Sequence, residues 1–334
     1  LPIKPSQSVA LIGQFAVQPR YQGAGSSQIN PTMLDNPLEA FREAGYKVSY
    51  AQGYDLTSLK TAENLINESE ALAQSSDLAV VFAGLPPEDE SEGFDRKNLS
   101  MPAAHNELIS RVAAANANTV VVLMCGAPVE LPWRDQVTSI LLVYLGGQAV
   151  GHASVDLLTG QVSPSGKLPV TFYYDAQLKD LPAFTDYTMQ GRTYRFFEEQ
   201  PLYPFGFGLS YTQFAYSDLE VTPRVAAGQS VNVSVRLTNV GPVAGDEVVQ
   251  VYLTDDQASY PVPLRSLVSF DRVHLAPGES RRVGFTIGYR QLAAFDDEGT
   301  PVVEPGTFTV SVGGGQPIAQ GGAPFVTGRL TVAG

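Results

Sequence analysis

The sequence contains a single cysteine, which excludes an internal disulfide. Cys125 ends the apolar run TVVVLMC, a setting that predicts a buried, unreactive thiol. Histidines are also scarce, and the three that occur, His105, His152 and His274, are too scattered along the chain to form a metal-binding set. We therefore expect neither a disulfide framework nor a metal site.

Basic residues are few as well, because 21 Lys and Arg stand against 34 Asp and Glu, a formal net charge of −13. Such a surface repels phosphate backbones and anionic lipids, so nucleic acid and membrane surfaces are not expected partners. No run of about 18 apolar residues occurs, so no membrane-spanning helix is expected either. Neutral ligands such as sugars remain compatible with this composition.

Neither an initiator methionine nor a signal peptide precedes Leu1. This start indicates a fragment, a processed form or a shortened chain. The cellular compartment is left open by the sequence, and periplasmic, extracellular and cytoplasmic locations are all compatible with it.

The first half of the chain alternates short apolar runs with helical patterns. Strands are expected at Ser8–Gly13, 77–84, 119–125 and 139–145, and helices at Asn36–Gly45, 60–75, 102–115 and 148–159. The run DLAVVFAG at 77–84 does not alternate, as expected of a strand that is buried on both faces. Together these elements predict an α/β domain over residues 1–175, with a mostly parallel sheet between layers of helices.

The helical period disappears after about residue 205. Strands are expected at 230–239, 246–254, 266–275, 280–288 and 306–314 and at the C-terminus, separated by turn sequences such as NVGPVAG and LAPGES. About seven strands of this kind favour an all-β immunoglobulin-like sandwich over residues 215–334. The Pro- and aromatic-rich residues 176–214 are expected to link the two domains.

An acidic loop, LPPEDESEGFDRKNLSMP at 85–102, follows the buried strand 77–84. In an open parallel sheet, ligands bind beyond the carboxyl ends of the strands, and this loop leaves such an end. Clustered carboxylates raise one another's pKa, which would allow one of them to act as a general acid. The alternative is a solvated acidic turn without a catalytic role.

A second loop, QGAGSS at 22–27, is rich in glycine and follows the first strand. It is superficially similar to a dinucleotide-binding loop, but after Gly23 and Gly25 the expected third glycine is replaced by Gln28. A nucleotide-dependent enzyme is therefore the least favoured of the three hypotheses that this sequence suggests. Two other interpretations are favoured equally: a loop that lies near the ligand site and stabilises the acidic loop, and a turn with a purely structural role.

Five segments in chain order resemble glycoside hydrolase family 3: PRYQGAGSSQINPT at 19–32, ESEGFDRKNLSMP at 90–102, GGQAVGHASVDLLTGQVSPSGKLPVTF at 146–172, YPFGFGLSYTQFAYSDLEV at 203–221, and LTNVGPVAGDEVVQVYL at 237–253 together with LAPGES. The resemblance covers nearly the whole chain. It implies an α/β sandwich domain followed by a fibronectin type III-like domain, the last two parts of enzymes that begin with a catalytic barrel.

The resemblance implies a retaining exo-β-glycosidase, with β-glucosidase as the first expectation. Its motif assigns the general acid/base role to Glu92, with Glu90 as the second candidate, and suggests substrate contacts for Gln22, Ser26 and Phe94. No cofactor is implied. The nucleophile of this family is an Asp on the barrel, so the chain should need that barrel as a partner, together with a β-linked glycoside as substrate.

Two points stay open in this interpretation. The chain could instead be a non-catalytic carbohydrate-binding or scaffold module whose acidic loop only contacts sugar. The oligomeric state, including a homodimer, and the identity of the terminal sugar are not determined by these residues.

Overall fold

The structure is a computed structural model that describes residues 1–58, 60–318 and 322–334. The chain divides into two compact units, Leu1–Val162 and Ser163–Gly334. The predicted fold class, an α/β domain followed by an all-β sandwich, is confirmed.

The described residues of the first unit form a five-stranded parallel sheet and four α-helices. Its strands are β1 Ser8–Ile12, β2 Lys47–Ala51, β3 Leu78–Gly84, β4 Thr119–Met124 and β5 Ser139–Leu142, and its helices are α1 Pro37–Glu43, α2 Glu63–Gln74, α3 Ala103–Ala115 and α4 Val150–Thr159. The strand order is β2-β1-β3-β4-β5, and every pairing is parallel. Since parallel crossovers are right-handed, α1 lies on the opposite face of the sheet from α2 and α3.

The two central strands form the core of this unit. Every residue of β3 and β4 is buried, which explains why the sequence of β3 is a continuous apolar run. Cys125 directly follows β4 and is fully buried, as predicted. Burial raises the pKa of its thiol to about 12, so the thiolate is strongly disfavoured.

Local signals set the boundaries of α1. The Asn36 side chain accepts a hydrogen bond from the Glu39 backbone N–H at 3.0 Å, and Pro37 occupies the first turn. Gly45, with φ of 79°, follows the helix in a left-handed conformation.

The second unit is built mainly of antiparallel strands. It contains the short helix α5 Thr193–Phe196 and the strands β6 Phe214–Val221, β7 Arg224–Ala226, β8 Val231–Asn239, β9 Gly245–Asp255, β10 Ser266–Leu275, β11 Ser280–Ile287, β12 Ala294–Phe295, β13 Pro301–Val302, β14 Gly306–Gly313 and β15 Phe325–Ala333. Sheets of order β10-β9-β14-β15-β7 and β11-β8-β6 contribute alternate apolar residues to one core, and β12 and β13 form a separate pair. This arrangement is the predicted sandwich.

Residues 163–211 are folded as part of this second unit. The Leu168 N–H donates to the Phe207 carbonyl at 2.8 Å, and Phe172 and Tyr203 form a β-bridge. The Lys167 ammonium lies 3.2 Å from the buried Glu247 carboxylate on β9. The domain boundaries expected at 175 and 214 remain predictions, although the contacts group this segment with the β-sandwich.

Candidate functional site

The candidate site lies where the order of the parallel sheet reverses. In the order β2-β1-β3-β4-β5, the chain leaves β1 toward one side of the sheet and β3 toward the other. In open α/β sheets, the loops at the carboxyl ends of two such neighbouring strands are the usual ligand position. Here those loops are residues 13–36 after β1 and residues 85–102 after β3, which we call the β1 loop and the acidic loop.

The two loops are joined beside Glu92. Ala24 and Ser91 form an isolated parallel bridge. One oxygen of the Glu92 carboxylate, Oε2, accepts hydrogen bonds from the Ser26 backbone N–H at 2.9 Å and from the Ser26 hydroxyl. The predicted acid/base residue and the predicted polar contact Ser26 are therefore brought together.

Gly25 makes this approach possible. Its φ is 85°, and a Cβ atom built there would lie 2.7 Å from the Cβ of Glu92. Any other residue would have to adopt a strained backbone conformation and would also displace Glu92. The glycine of the β1 loop is thus explained by the close contact with the acidic loop.

The expectation that neighbouring carboxylates raise the pKa of the acid/base residue is wrong for Glu92 in this chain. Glu92 is exposed, and the hydrogen bonds from the Ser26 hydroxyl and backbone N–H lower its pKa below the ordinary value. These donors stabilise the ionised form. Desolvation, which would raise the pKa, has a smaller effect because the carboxylate is exposed. The Glu92 carboxylate is therefore ionised and accessible at neutral pH.

Glu90, the second candidate, has a different environment. Its side chain is 12% exposed, and Oε2 accepts a hydrogen bond from the Gly126 backbone N–H at 2.8 Å. The same oxygen lies 3.9 Å from the Arg20 guanidinium. Glu90 therefore connects the acidic loop to the residues after β4, whereas Glu92 is presented to the outside.

The remaining predicted residues lie on the same two loops. Gln22 closes the β1 loop, because its amide donates to the Ile29 carbonyl at 3.0 Å and accepts from the Ile29 N–H at 2.9 Å. Phe94, on the acidic loop, is 73% exposed. A sugar contact for Gln22, Ser26 or Phe94 remains a prediction.

Arg20 is the residue that the sequence reasoning missed. Its side chain is 5% exposed and donates to the Gln22 carbonyl at 2.6 Å and to the Glu90 carbonyl at 3.2 Å. On the other side of the acidic loop, Arg96 donates to the Pro128 carbonyl at 2.8 Å. The available signal was one arginine directly before the glycine-rich loop, in PRYQGAGSS, but its partners are too distant in sequence to be recognised.

The described parts of the chain contain no group of three or more His, Cys, Asp or Glu residues arranged to hold a metal ion. Within the same residues, no helix combines the length and the apolar character that a bilayer span requires.

Comparison with known families identifies the chain. Residues 1–211 match the model of the "Glycosyl hydrolase family 3 C-terminal domain". The chain belongs to glycoside hydrolase family 3. Residues 247–316 of this family 3 chain also match the model of the "Fibronectin type III-like domain", in agreement with the sandwich of the second unit.

The family 3 chain is similar to enzymes with different sugar names. It is 45% identical over 331 residues to thermostable beta-glucosidase B of Acetivibrio thermocellus, covering 94% of this chain and 44% of that protein. It is 36% identical over 325 residues to Exo-alpha-(1->6)-L-arabinopyranosidase of Bifidobacterium longum, covering 93% and 43%. The chain thus spans less than half the length of these curated relatives.

A solved structure gives the same relationship. The crystal structure of the Bifidobacterium adolescentis GH3 beta-glucosidase superimposes with a TM-score of 0.89 at 35% sequence identity. The match covers 99% of the family 3 chain and 50% of that chain.

Proposed function

We propose that this family 3 chain forms the acid/base half of a retaining exo-β-glycosidase, with a terminal β-glucoside as the first substrate to test. Glu92 is proposed as the general acid/base. The observation that carries this proposal is an exposed carboxylate, held by Ser26 on the loops where the sheet order reverses. The chain's membership of family 3 supports the reaction class.

Retaining hydrolysis needs two carboxyl groups about 5–5.5 Å apart. One attacks the anomeric carbon, and the other protonates the leaving oxygen and then removes a proton from the attacking water. We assign the second task to Glu92 and the first to an Asp of a barrel domain. A chain that spans 44% of a relative fits this division of the two groups.

The surface around Glu92 supports docking of that barrel. The β1 loop exposes Ile29 by 63% and Met33 by 74%, and the acidic loop exposes Phe94 by 73%. These apolar side chains belong to the two loops that the Ala24–Ser91 bridge joins, and burying each would contribute about 1.5–3 kcal/mol. We propose that the barrel covers them and that its crevice receives Glu92.

Docking of the barrel would also raise the pKa of Glu92. In this chain the pKa of Glu92 is lowered by Ser26, which suits a general base but opposes a general acid. Removal of water by the barrel and the sugar disfavours the charged carboxylate and raises its pKa. Ser26 would then stabilise the carboxylate when it is ionised, in the second half of the reaction.

The test is Glu92→Gln in the barrel-containing protein. For a substrate with a poor leaving group such as a phenyl β-glucoside, we expect kcat to fall about 10²–10⁴-fold, since general acid catalysis contributes that much. A dinitrophenyl glucoside, whose leaving group needs no proton, should keep its first step. Glu88→Gln, which removes an exposed charge from the same loop, is the matched control and should leave both rates unchanged.

Equal and small losses for both substrates would reject the acid/base role. The same result combined with weakened sugar binding would favour the second candidate, a non-catalytic carbohydrate-binding module. The 334-residue chain alone should not hydrolyse either substrate, and turnover by the purified chain would refute the proposed division between two lobes.

A further inference from the structure

We infer that Arg20 and Glu90 are positioning residues that fix the acidic loop so that Glu92 meets the scissile bond. This inference rests on the proposed acid/base role of Glu92. It removes Glu90 from the candidate acids and gives the buried Arg20 a function in the reaction geometry.

Arg20 connects the loops that follow β1 and β3. Its guanidinium donates to a carbonyl of the β1 loop, that of Gln22, and to a carbonyl of the acidic loop, that of Glu90. Nε is buried and has no hydrogen-bond partner among the described residues. Burying a charged group that is incompletely paired costs free energy, so packing alone does not account for an arginine here.

Glu90 connects the acidic loop to the end of β4. Its carboxylate accepts the N–H of Gly126, two residues beyond β4, and a Cβ on Gly126 would lie 3.1 Å from Oε1 of Glu90. Glu90 is thus held from both sides, by the residues after β4 and by Arg20. Its Oε2 accepts the Gly126 N–H and lies 3.9 Å from the Arg20 guanidinium, and these contacts favour a positioning role for Glu90.

Glu92 is restrained as well, because it lies only two residues after Glu90 in the chain. Two residues span at most about 7 Å, so fixing the backbone at Glu90 confines the Cα of Glu92 to a sphere of that radius. The bridge from Ser91 to Ala24 and the hydrogen bonds from Ser26 then select one position within it. A displacement of 1 Å in a catalytic group can cost about 10²-fold in rate.

The first experiment uses the chain itself and no substrate. The Ser26 amide proton should shift with the ionisation of Glu92, because that N–H donates to the carboxylate. We expect ¹H–¹⁵N spectra recorded across pH to show this step in the wild type and in Glu88→Gln. Arg20→Met and Glu90→Ala should reduce its amplitude by at least half, whereas Glu90→Gln, which keeps an acceptor for Gly126, should retain most of it.

An unchanged Ser26 titration in Arg20→Met and Glu90→Ala would overturn the inference. If Glu90→Ala does not fold, as checked by circular dichroism, Arg20→Met alone decides the result. Because this measurement needs no turnover, it distinguishes a failure of the positioning role from a failure of the proposed acid/base role of Glu92.

The second experiment measures turnover in the barrel-containing protein. Arg20→Met and Glu90→Ala should lower kcat about 10²-fold for a phenyl β-glucoside, with little change in KM. They should lower kcat/KM less for the dinitrophenyl substrate, because kcat/KM reports the first step, in which this leaving group needs no proton. Equal losses of kcat/KM for both substrates, or a change confined to KM, would overturn the inference. Rescue of Glu90→Ala but not of Glu92→Ala by azide would also overturn it, since Glu90 would then be the acid itself.

Discussion

His105 provides a quantitative test of the first unit, because its burial links stability to pH. The ring is 1% exposed and packs against Tyr54 with ring centroids 3.8 Å apart. Nδ1 lies 2.9 Å from the Gly84 carbonyl oxygen, and Nε2 is buried without a hydrogen-bond partner among the described residues. Desolvation lowers the pKa of His105 to about 4, and the hydrogen bond with the Gly84 backbone opposes this shift only in part.

The sign of the effect follows from linkage. Since the folded pKa lies below the unfolded value of 6.5, the unfolded chain binds the proton more tightly. The stability that neutral His105 contributes is fully present above pH 6.5 and is lost as the pH falls toward about 4. At about 1.4 kcal/mol per pKa unit, the total loss is about 3 kcal/mol.

The sole tryptophan makes this loss measurable in the intact chain. Trp133 belongs to the first unit, is fully buried and donates to Asn106, the neighbour of His105 in α3. Urea unfolding followed by tryptophan fluorescence therefore reports the first unit. We expect the free energy of unfolding of the wild type to fall between pH 7 and pH 4 by about 3 kcal/mol more than that of His105→Gln.

His152→Gln is the matched control, with the opposite sign. Hydrogen bonds to Asp35 and Glu43 raise the pKa of His152, so its contribution is present at low pH and is lost as the pH rises through the folded pKa. Removing it should therefore flatten the alkaline side of the curve. Parallel stability curves for the wild type and His105→Gln from pH 7 to pH 4 would refute the reasoning about His105.

Two further predictions concern single contacts. Gly25→Ala should destabilise the chain by about 1–2 kcal/mol in urea unfolding, because φ is positive there, and it should abolish the pH-dependent shift of the Ser26 amide by displacing Glu92; an unchanged shift would contradict the contact. Lys167→Met should destabilise the second unit by about 3–5 kcal/mol at pH 8, because it leaves the buried Glu247 carboxylate without its cation. The loss should be smaller at pH 4.5, where Glu247 can be protonated. Equal losses of melting temperature at both pH values would count against this pairing.

The elements predicted best from the sequence are those whose burial is uniform or regularly alternating. β3 was expected at 77–84 and is observed at Leu78–Gly84, because both faces of the strand are buried and its apolar run is continuous. β8 alternates buried and exposed residues over Val231–Asn239, close to the expected 230–239. In such strands, the pattern of apolar residues along the sequence is enough to predict the element.

Other strands were missed, or predicted with the wrong end, because their backbone departs from regular geometry. β6, Phe214–Val221, was not predicted as a strand. Its pairing with β8 is interrupted between Ser217 and Glu220, where Asp218 has φ of 50°. A bulge of this kind shifts the alternation of side chains and hides the strand from a period-two pattern. β5 was expected to reach 145 and ends at Leu142, just before Tyr144 with φ of 52°.

For the site, sequence patterns predicted the residues but not their partners. The acidic loop and Glu92 were recognised by motif, whereas the lowered pKa of Glu92 depends on Ser26, which lies 66 positions earlier. The different environments of Glu90 and Glu92 likewise depend on Gly126, which lies 36 positions after Glu90. Contacts at such separations are set by the strand order and cannot be derived from local composition.

The contacts that hold Glu90 and Glu92 come from the residues that follow β1 and β4 within the first unit. A consequence concerns how such enzymes diversify. If the sugar is held by a different lobe, substrate preference can change by replacement of that lobe while the contacts around Glu92, the proposed proton donor, stay the same. Recombination between family members of different sugar preference should then yield active hybrids when the crossover falls between the lobes, and inactive ones when it separates β1 from β4.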